Sequence, residues 1–226
     1  MFEHISGPIH FLTSRTFDSN ITFLDCGDKQ VLIDTGTGVN AEHLEKSLGN
    51  LGSSMESITD VILTHSHIDH IGGVAILLEE ASPKLHLHKA EADMINKGDM
   101  SLTLSDTFGA RLPPLKIEGV LEEGEVVQFG DLNLRVYNTP GHSIGSICLE
   151  ILNTGIMVTG DTMFPGGSFG RVDFPTGSPR QLVESLRRLS EISFEIALPG
   201  HMNAIKHGAQ RSAIASYEMA RSWFKV

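Results

Sequence analysis

The chain has 226 residues, of which 40% are hydrophobic, and its 17 basic and 28 acidic residues give a formal net charge of −11. This length and composition predict one domain over residues 1–226 with a well-filled core. The negative charge would repel phosphate backbones, which argues against a nucleic-acid partner. The N-terminus lacks a signal-peptide pattern and no apolar run approaches the ~20 residues that span a bilayer, so we expect a cytoplasmic protein without a membrane partner. The sequence carries no indication of an oligomeric state.

Apolar and alternating runs, broken by Gly, Asp, Asn and Pro, predict the strands and helices in chain order. The predicted strands are 9–13, 21–24, 31–34, 61–64, 85–88, 126–129, 132–138, 146–152, 156–160 and 194–198. The predicted helices are 41–51, 74–80, 89–96, 179–189 and 209–224. Strands on both sides of helices predict an α+β fold with two mixed sheets packed face to face and helices outside. Segment 97–119 has weak periodicity and two prolines, so we expect a mobile loop or lid that shapes a substrate pocket.

The most informative segment is residues 65–70, which read His-Ser-His-Ile-Asp-His directly after the predicted strand 61–64. In an extended or turning loop, His65 and His67 alternate onto one side, so both rings can reach one cation. Asp69 and His70 then project toward a neighbouring position, where a second cation could lie. Imidazole and carboxylate ligands bind Zn at about 2.0–2.2 Å, so these side chains have to converge.

Three further segments place a side chain that can bind metal at the end of a predicted strand. His142 follows Thr-Pro-Gly, Asp161 follows Gly, and His201 follows Pro-Gly. The small or kinked residues beside each side chain let the backbone turn sharply. Each segment alone is more typical of an ordinary turn. Together with residues 65–70 they supply five histidines and two aspartates, enough for two cation sites.

The ordered motifs HSHIDH, PGH, GD and PGH, preceded by LIDTG at residues 32–36, resemble those of the metallo-β-lactamase superfamily of hydrolases. The resemblance extends from about residue 21 to residue 208. It implies a four-layer αβ/βα sandwich with the metal centre at one edge between the two sheets.

The resemblance also implies the ligands of two metal ions. One ion would be held by His65, His67 and His142. The other would be held by Asp69, His70 and His201, and Asp161 would bridge both ions. Asp34 would orient the ligand loop by hydrogen bonds, the alternative being a simple turn or cap at a strand end. We therefore assign Asp34 and Asp69 to the catalytic residues.

A ligand set of nitrogen and oxygen atoms suits Zn, Fe or Mn. We expect two divalent ions and favour Zn over Fe and Mn as their identity. Residues 139–146 and 161–174 resemble the glyoxalase II-like branch, in which glyoxalase II hydrolyses the thioester of hydroxyacyl-glutathione. Glyoxalase II normally has a C-terminal helical domain that helps to bind glutathione, whereas one predicted helix follows His201 here. The resemblance therefore implies hydrolysis of a small-molecule thioester without assigning glutathione. Two cations lower the pKa of a bridging water toward neutrality, which supplies the hydroxide for this reaction.

Two basic side chains are candidates for binding an anionic group of the substrate. Arg171 follows Asp161 closely, and its alternative is a surface ion pair with Asp173. Lys206 lies five residues beyond His201 and is the weaker candidate. His86 and His88, which share one face of a predicted strand, are expected to be exposed polar residues.

Other activities are compatible with the same motif residues. Persulfide dioxygenases resemble the same branch, and there a single Fe(II) would be held by His65, His142 and Asp161, a two-histidine, one-carboxylate arrangement. A lactonase or phosphodiesterase of the same superfamily is a further alternative. A non-catalytic binding module is disfavoured because the ligand set is intact.

Overall fold

The computed structural model describes residues 1–14 and 17–226, which form two β-sheets and flanking helices. The first sheet has seven strands in the order β1 to β7: β1 Glu3–Ser6, β2 Ile9–Leu12, β3 Ile21–Asp25, β4 Gln30–Ile33, β5 Asp60–Ile62, β6 Lys84–His88 and β7 Gly119–Leu121. The second has five strands, β8 Val126–Phe129, β9 Leu132–Asn138, β10 Ile147–Ile151, β11 Ile156–Gly160 and β12 Ile196–Pro199, in the spatial order β12-β11-β10-β9-β8.

Six α-helices are present among the described residues. They are α1 Ala41–Gly49, α2 Ile68–Ile71, α3 Val74–Glu80, α4 Lys89–Ile95, α5 Pro179–Ser190 and α6 Ala209–Phe224. Short 3-10 turns occupy Met55–Ser57, Ser101–Thr103 and Pro165–Gly167. In the part of the chain that the structure describes, no helix combines the length and apolar character needed to cross a bilayer.

Alternating side chains place the strands between two apolar layers. In β4, Val31 and Ile33 lie in a cluster shared by the two sheets, whereas Leu32 faces the cluster covered by α1, α3 and α4. In β10, Leu149 belongs to the shared cluster and Cys148 to the one covered by α5 and α6. The layers therefore follow the order helix, sheet, sheet, helix, and the predicted αβ/βα sandwich of two mixed sheets is confirmed.

Parallel pairing brings the functional loops to one edge. Strands β4 and β5 are parallel, as are β11 and β12, whereas most other neighbours are antiparallel. The carboxyl ends of parallel neighbours meet at the same edge of a sheet. The sheets approach closely at this edge, where the Ile147 amide donates a hydrogen bond to the Thr64 carbonyl (2.9 Å). A Cβ on Gly160, whose φ is +46°, would lie only 2.8 Å from the Thr64 side chain.

The structure differs from the sequence-based expectation in a few elements. Strands β1 and β7 and the four-residue helix α2 were not predicted, and α2 falls inside the motif at residues 65–70. In segment 97–119 the side chains of Leu102, Leu104, Leu115 and Ile117 are buried. The segment is thus packed against the rest of the protein through part of its length, and its role as a mobile lid stays a prediction.

The expectation that His86 and His88 are exposed is wrong, since their exposed fractions are 4% and 8%. His86 Nε2 lies 2.8 Å from Asp60 Oδ1, and Lys29 Nζ donates to the other carboxylate oxygen of Asp60 (3.1 Å). Burial raises the pKa of Asp60, but the hydrogen bonds from His86 and Lys29 outweigh this and leave the pKa below its usual value. His86 is therefore buried beside a charged partner, Asp60 on the neighbouring strand β5, whereas the His88 ring accepts a hydrogen bond from the Ala90 amide (3.3 Å).

Gly119 is needed where β7 passes His86, and its replacement should be destabilising. A Cβ at this position would lie 1.9 Å from His86 Nδ1, so Gly119→Ala should lower the free energy of unfolding by about 1–3 kcal/mol. Gly49 in α1 has open space around the same position, and Gly49→Ala should leave stability unchanged or raise it by about 0.5–1 kcal/mol. Urea unfolding followed by circular dichroism measures both, and equal stability of the two variants would contradict the packing described.

Candidate metal centre

Three imidazoles from two loops converge at the edge where the sheets meet. His142 Nε2 lies 2.9 Å from His67 Nδ1 and 3.2 Å from His65 Nε2. One ligand atom from each of these residues lies within 4.8 Å of the others, and all three side chains are buried. Facing ring nitrogens at such distances need a proton or a cation between them, because two lone pairs repel each other.

A second set lies beside the first and shares a carboxylate with it. Ligand atoms of Asp69, His70 and His201 also lie within 4.8 Å of one another. Asp161 Oδ2 is 3.5 Å from His142 Nε2 of the first set and 3.5 Å from His201 Nε2 of the second. Its Oδ1 is 3.3 Å from His70 Nε2. The structure thus brings together all seven side chains that the sequence named, with Asp161 between the two sets.

Two histidines of the first set, His65 and His67, are neutral near pH 7. Burial, followed by the charges of His70 and the other imidazoles, lowers the pKa of His65 well below its ordinary value. Burial and the neighbouring His142 and His70 lower the pKa of His67 to about 3. Neutral imidazole is the form that binds metal, so these rings are kept ready for a cation.

The second set is richer in charge. Burial alone would lower the pKa of His70, but the carboxylates of Asp34, Asp161 and Asp69 outweigh it and raise that pKa well above its ordinary value. Burial would raise the pKa of Asp161, but the facing histidines hold it well below its usual range. A proton on His70 therefore partly balances the three carboxylates. A divalent cation at the same place would balance them with more positive charge.

The buried polar atoms of this site fit a metal ion. His70 Nε2 and Asp161 Oδ1 are buried and have no hydrogen-bond partner in suitable geometry, although they lie 3.3 Å apart. Buried polar atoms are rarely left unpaired, and a missing ion is one ordinary cause. The donor set of nitrogen and carboxylate oxygen suits Zn, Fe or Mn.

Asp34 is buried and is hydrogen-bonded to the candidate ligand loop, and its assignment as a catalytic residue stays a prediction. Its two carboxylate oxygens accept hydrogen bonds from the Thr64 amide, the Thr64 hydroxyl and His70 Nδ1, each at 2.8 Å. Because the Thr64 hydroxyl donates to Asp34, its oxygen accepts from His65 Nδ1 (3.2 Å). Both imidazoles are thereby left with Nε2 facing the site.

His142 is oriented by the segment that follows Asp161. Its Nδ1 donates to the Arg171 carbonyl (2.7 Å), and the Phe174 ring packs edge-on against His67 with ring centroids 5.2 Å apart. The Arg171 guanidinium is exposed, lies 4.6 Å from the Phe174 ring centroid and forms two hydrogen bonds with Asp173 (2.9 and 2.6 Å). The surface ion pair considered as the alternative for Arg171 is thus present. Its substrate-binding role stays a prediction.

Lys206, the second candidate for substrate binding, forms an exposed ion pair with Glu3 of strand β1. Lys206 therefore has an acidic partner on a neighbouring surface strand. Among the described residues, no contact links Lys206 to the candidate metal ligands, and its substrate-binding role stays a prediction.

Glu91 was missed by the sequence reasoning and is fully buried in α4. Its carboxylate accepts hydrogen bonds from the Ser66 amide (2.7 Å), the Ser143 hydroxyl (2.6 Å) and the Gly145 amide (3.0 Å). It thereby ties the loop of His65 and His67 to the loop of His142. In the sequence, a glutamate in the first turn of a helix is typical of a solvated residue favoured by the helix dipole, so no signal distinguished it.

Asn20 holds the remaining ligand loop and was also missed. Its side-chain amide donates to the carbonyls of Pro199 (2.8 Å) and Met202 (2.7 Å), on either side of His201. Asparagine before a strand reads as an ordinary turn residue, so its long-range contact could not be predicted.

Comparison with known proteins agrees with this geometry. Residues 15–201 match the protein family described as the metallo-beta-lactamase superfamily. A probable metallo-hydrolase of Methanocaldococcus jannaschii is 35% identical over 196 residues, 84% of this chain and 90% of the relative. The acyl-coenzyme A thioesterase MBLAC2 of Homo sapiens is 30% identical, with 92% of this chain and 82% of the relative covered. A hydroxyacylglutathione hydrolase of Cereibacter sphaeroides is 33% identical over 82% of this chain, which spans 63% of that relative.

Solved structures show the same fold. TTHA1623, described in a di-iron-bound form, is 28% identical and has a TM-score of 0.69, with 86% of this chain and 92% of the other covered. The class B3 di-zinc metallo-β-lactamase LRA-12 from an Alaskan soil metagenome is 16% identical and has a TM-score of 0.76, with 98% and 92% covered. The second likeness concerns the fold alone.

Replacing Asp34 by Asn should weaken metal binding while the fold is kept. Asp34 has a φ of +62°, which asparagine tolerates, but an amide cannot accept hydrogen bonds on both of its terminal atoms. We expect Asp34→Asn to lower metal affinity by about 10- to 100-fold, measured by competition with a chromophoric chelator. Asp25→Asn, at an exposed strand end, is the matched control. Equal affinity in the Asp34 and Asp25 variants would show that Asp34 does not orient the ligands.

Replacing Glu91 by Gln should destabilise the metal-free protein. The glutamine amide group would face at least one of three buried donors, so we expect the free energy of unfolding to fall by about 2–3 kcal/mol. Glu79→Gln on the exposed side of α3 is the control and should have little effect. Chemical unfolding without metal measures both, and a Glu91 variant as stable as the control would refute the link between the loops.

Proposed function

The chain belongs to the metallo-β-lactamase superfamily of hydrolases, and we propose that it is a dinuclear metal-dependent hydrolase of a small thioester. The observation that carries the proposal is the position of the Asp161 carboxylate, within 3.5 Å of histidine nitrogens from both ligand sets. A mononuclear site would not require two complete sets around one shared carboxylate.

The seven side chains have distinct parts in this proposal. His65, His67 and His142 would hold one cation through neutral rings. Asp69, His70 and His201 would hold the other, and Asp161 would contact both. Two divalent cations at this place would lower the pKa of water and polarise the substrate carbonyl.

The reaction adds water across the carbon–sulfur bond of the thioester. The carbonyl carbon gains an oxygen atom, the carbon–sulfur bond breaks, and the thiol is released. Because thiols have a pKa of about 8.5, the leaving group departs without a dedicated general acid. The carboxylates of Asp69 and Asp161 stay charged near pH 7, since the surrounding histidines lower the pKa of each below its usual value in spite of burial.

Relatives support thioesters as the substrate class. The human relative is named an acyl-coenzyme A thioesterase, and the relative from Cereibacter sphaeroides is named a hydroxyacylglutathione hydrolase. Arg171 is our candidate for an anionic group of the thiol part. Its partner Asp173 is exposed, and exposed ion pairs are weak, so a substrate anion can replace Asp173.

The metal-loaded protein should hydrolyse thioesters, and removal of metal should abolish the activity. We expect His201→Ala to lower kcat/KM by at least about 100-fold, because the second set loses a ligand. His207→Ala, at a side chain that is 89% exposed, is the matched control and should keep the activity. A thiol-detecting assay with acetyl, glutathione and coenzyme A thioesters measures this.

Other outcomes of that experiment would redirect the assignment. Turnover of lactones or phosphodiesters without thioester hydrolysis would contradict the proposal. Oxygen uptake with a persulfide, retained in the His201 variant, would instead support the mononuclear iron enzyme.

A further inference from the structure

Asn20 lies directly before β3, and its side chain is buried. Its side-chain nitrogen donates hydrogen bonds to the carbonyls of Pro199 (2.8 Å) and Met202 (2.7 Å). Its backbone amide donates to the carbonyl of Gly200 (2.6 Å). Three of the hydrogen bonds of this one residue therefore surround His201, the last candidate ligand of the second set.

The His201 ring is held differently from the rings of His70 and His142. Nδ1 of His70 is hydrogen-bonded to Asp34 (2.8 Å), and Nδ1 of His142 to a backbone carbonyl (2.7 Å). Among the residues that the structure describes, no hydrogen bond holds Nδ1 of His201, and the Phe164 ring only packs edge-on against it with centroids 6.0 Å apart. A hydrogen bond on the outer nitrogen normally orients a histidine ligand. The position of the His201 ring therefore depends on the turn that carries it.

This turn is strained and lies directly against the shared carboxylate. Met202 has a φ of +67°, a left-handed conformation that is unfavourable for residues other than glycine. Its side chain is 55% exposed, so packing contributes little to holding it there. A Cβ on Gly200 would overlap Asp161 Oδ1. The hydrogen bonds from Asn20 are therefore what holds the turn in this conformation beside Asp161.

The segment that contains Asn20 also holds the other side of the second set. The amide of the preceding residue, Ser19, donates to the Asp69 carbonyl (3.0 Å). Residues 19 and 20 thus join the Asp69 end of the ligand loop to the turn at His201. Glu91 makes the corresponding link on the side of the first set. The two candidate cation positions are therefore supported by separate hydrogen-bonded residues.

We propose that Asn20 is a positioning residue for the second cation, because it fixes His201 relative to the Asp161 carboxylate. The inference rests on the proposed function, since it assigns a role within a dinuclear centre. Binding of the two cations can then be weakened separately, the second through Asn20 and the first through Glu91. Loss of the second cation would in turn lower the rate of thioester hydrolysis.

Metal titration of Asn20→Asp tests the inference. This variant keeps an oxygen that accepts from the Ser14 amide, but it places a carboxylate oxygen against the carbonyls of Pro199 and Met202. We expect the affinity for one of the two cations to fall by at least about tenfold, while the affinity for the other is unchanged. Competition between a chromophoric chelator and the protein for Zn measures both. Asn153→Asp, at an exposed residue, is the matched control and should bind both cations as the wild type does.

Combination with ligand variants identifies which cation is affected. In His201→Ala the second set is incomplete, and adding Asn20→Asp should leave the affinity of the remaining cation unchanged. In His142→Ala the first set is incomplete, and adding Asn20→Asp should lower the affinity of the remaining cation. Residues that act through one another are not additive, which is why the two backgrounds differ. Equal effects in the two backgrounds, or an effect confined to the His201 background, would overturn the inference.

Activity at two metal concentrations separates positioning from a general loss of structure. With metal at two equivalents, Asn20→Asp should have a lower kcat/KM for a thioester than the wild type, and a large excess of metal should restore it. A loss that persists at every metal concentration would contradict positioning of the cation. Asn20→Ala removes the two donors without adding charge. It should show the same pattern with a smaller loss, and it replaces the aspartate variant in all titrations if that variant does not fold.

The failure of this inference is distinguishable from the failure of the proposed function. If the wild type binds a single cation, the dinuclear centre fails and the inference fails with it. If the wild type binds two cations but hydrolyses no thioester, the substrate class is wrong, while the titrations still decide the role of Asn20. If thioesters are hydrolysed and the Asn20 variants bind both cations as tightly as the wild type, the inference alone is overturned.

Discussion

The two sheets and the ligand loop are joined at Thr64. Its carbonyl accepts a hydrogen bond from Ile147 of the second sheet, and its hydroxyl donates to Asp34 while facing His65. The contact is possible because Gly160 has no side chain at the point of closest approach. One residue thus fixes the separation of the sheets and the direction of the imidazoles between them, and the candidate metal centre depends on that separation.

Around this contact, buried polar residues hold the loops in place by hydrogen bonds. Asp34 orients His70, Glu91 joins the loops that carry the other histidines, and Asn20 holds the turn at His201. Each makes hydrogen bonds to backbone or side-chain groups that a buried loop would otherwise leave unpaired. The electrostatics differ between the two ligand sets, since the neutral rings of His65 and His67 lie in one and carboxylates surround His70 in the other. This arrangement supports the two cations that we propose.

Much of this could be predicted from the sequence, because the signals are local. The spacing of residues 65–70 and the glycine or proline before His142 and His201 indicated the seven side chains that the structure brings together. The order of strands and helices, with the family resemblance, predicted the two-sheet sandwich. The burial of His86 and Glu91 was not predicted, because it depends on residues that are distant in the sequence. His86 is buried because Asp60 and Gly119 lie on the adjacent strands, and Glu91 is buried because two loops donate to it. Neither relation leaves a trace in the neighbouring sequence.

In our proposal, seven side chains hold two cations around Asp161. Elemental analysis of protein purified without air and without added metal tests it most directly. We expect close to two divalent ions per chain, as Zn or as a mixture of Zn, Fe and Mn. Close to one iron per chain, with little other metal and no second ion bound on titration, would contradict the dinuclear centre.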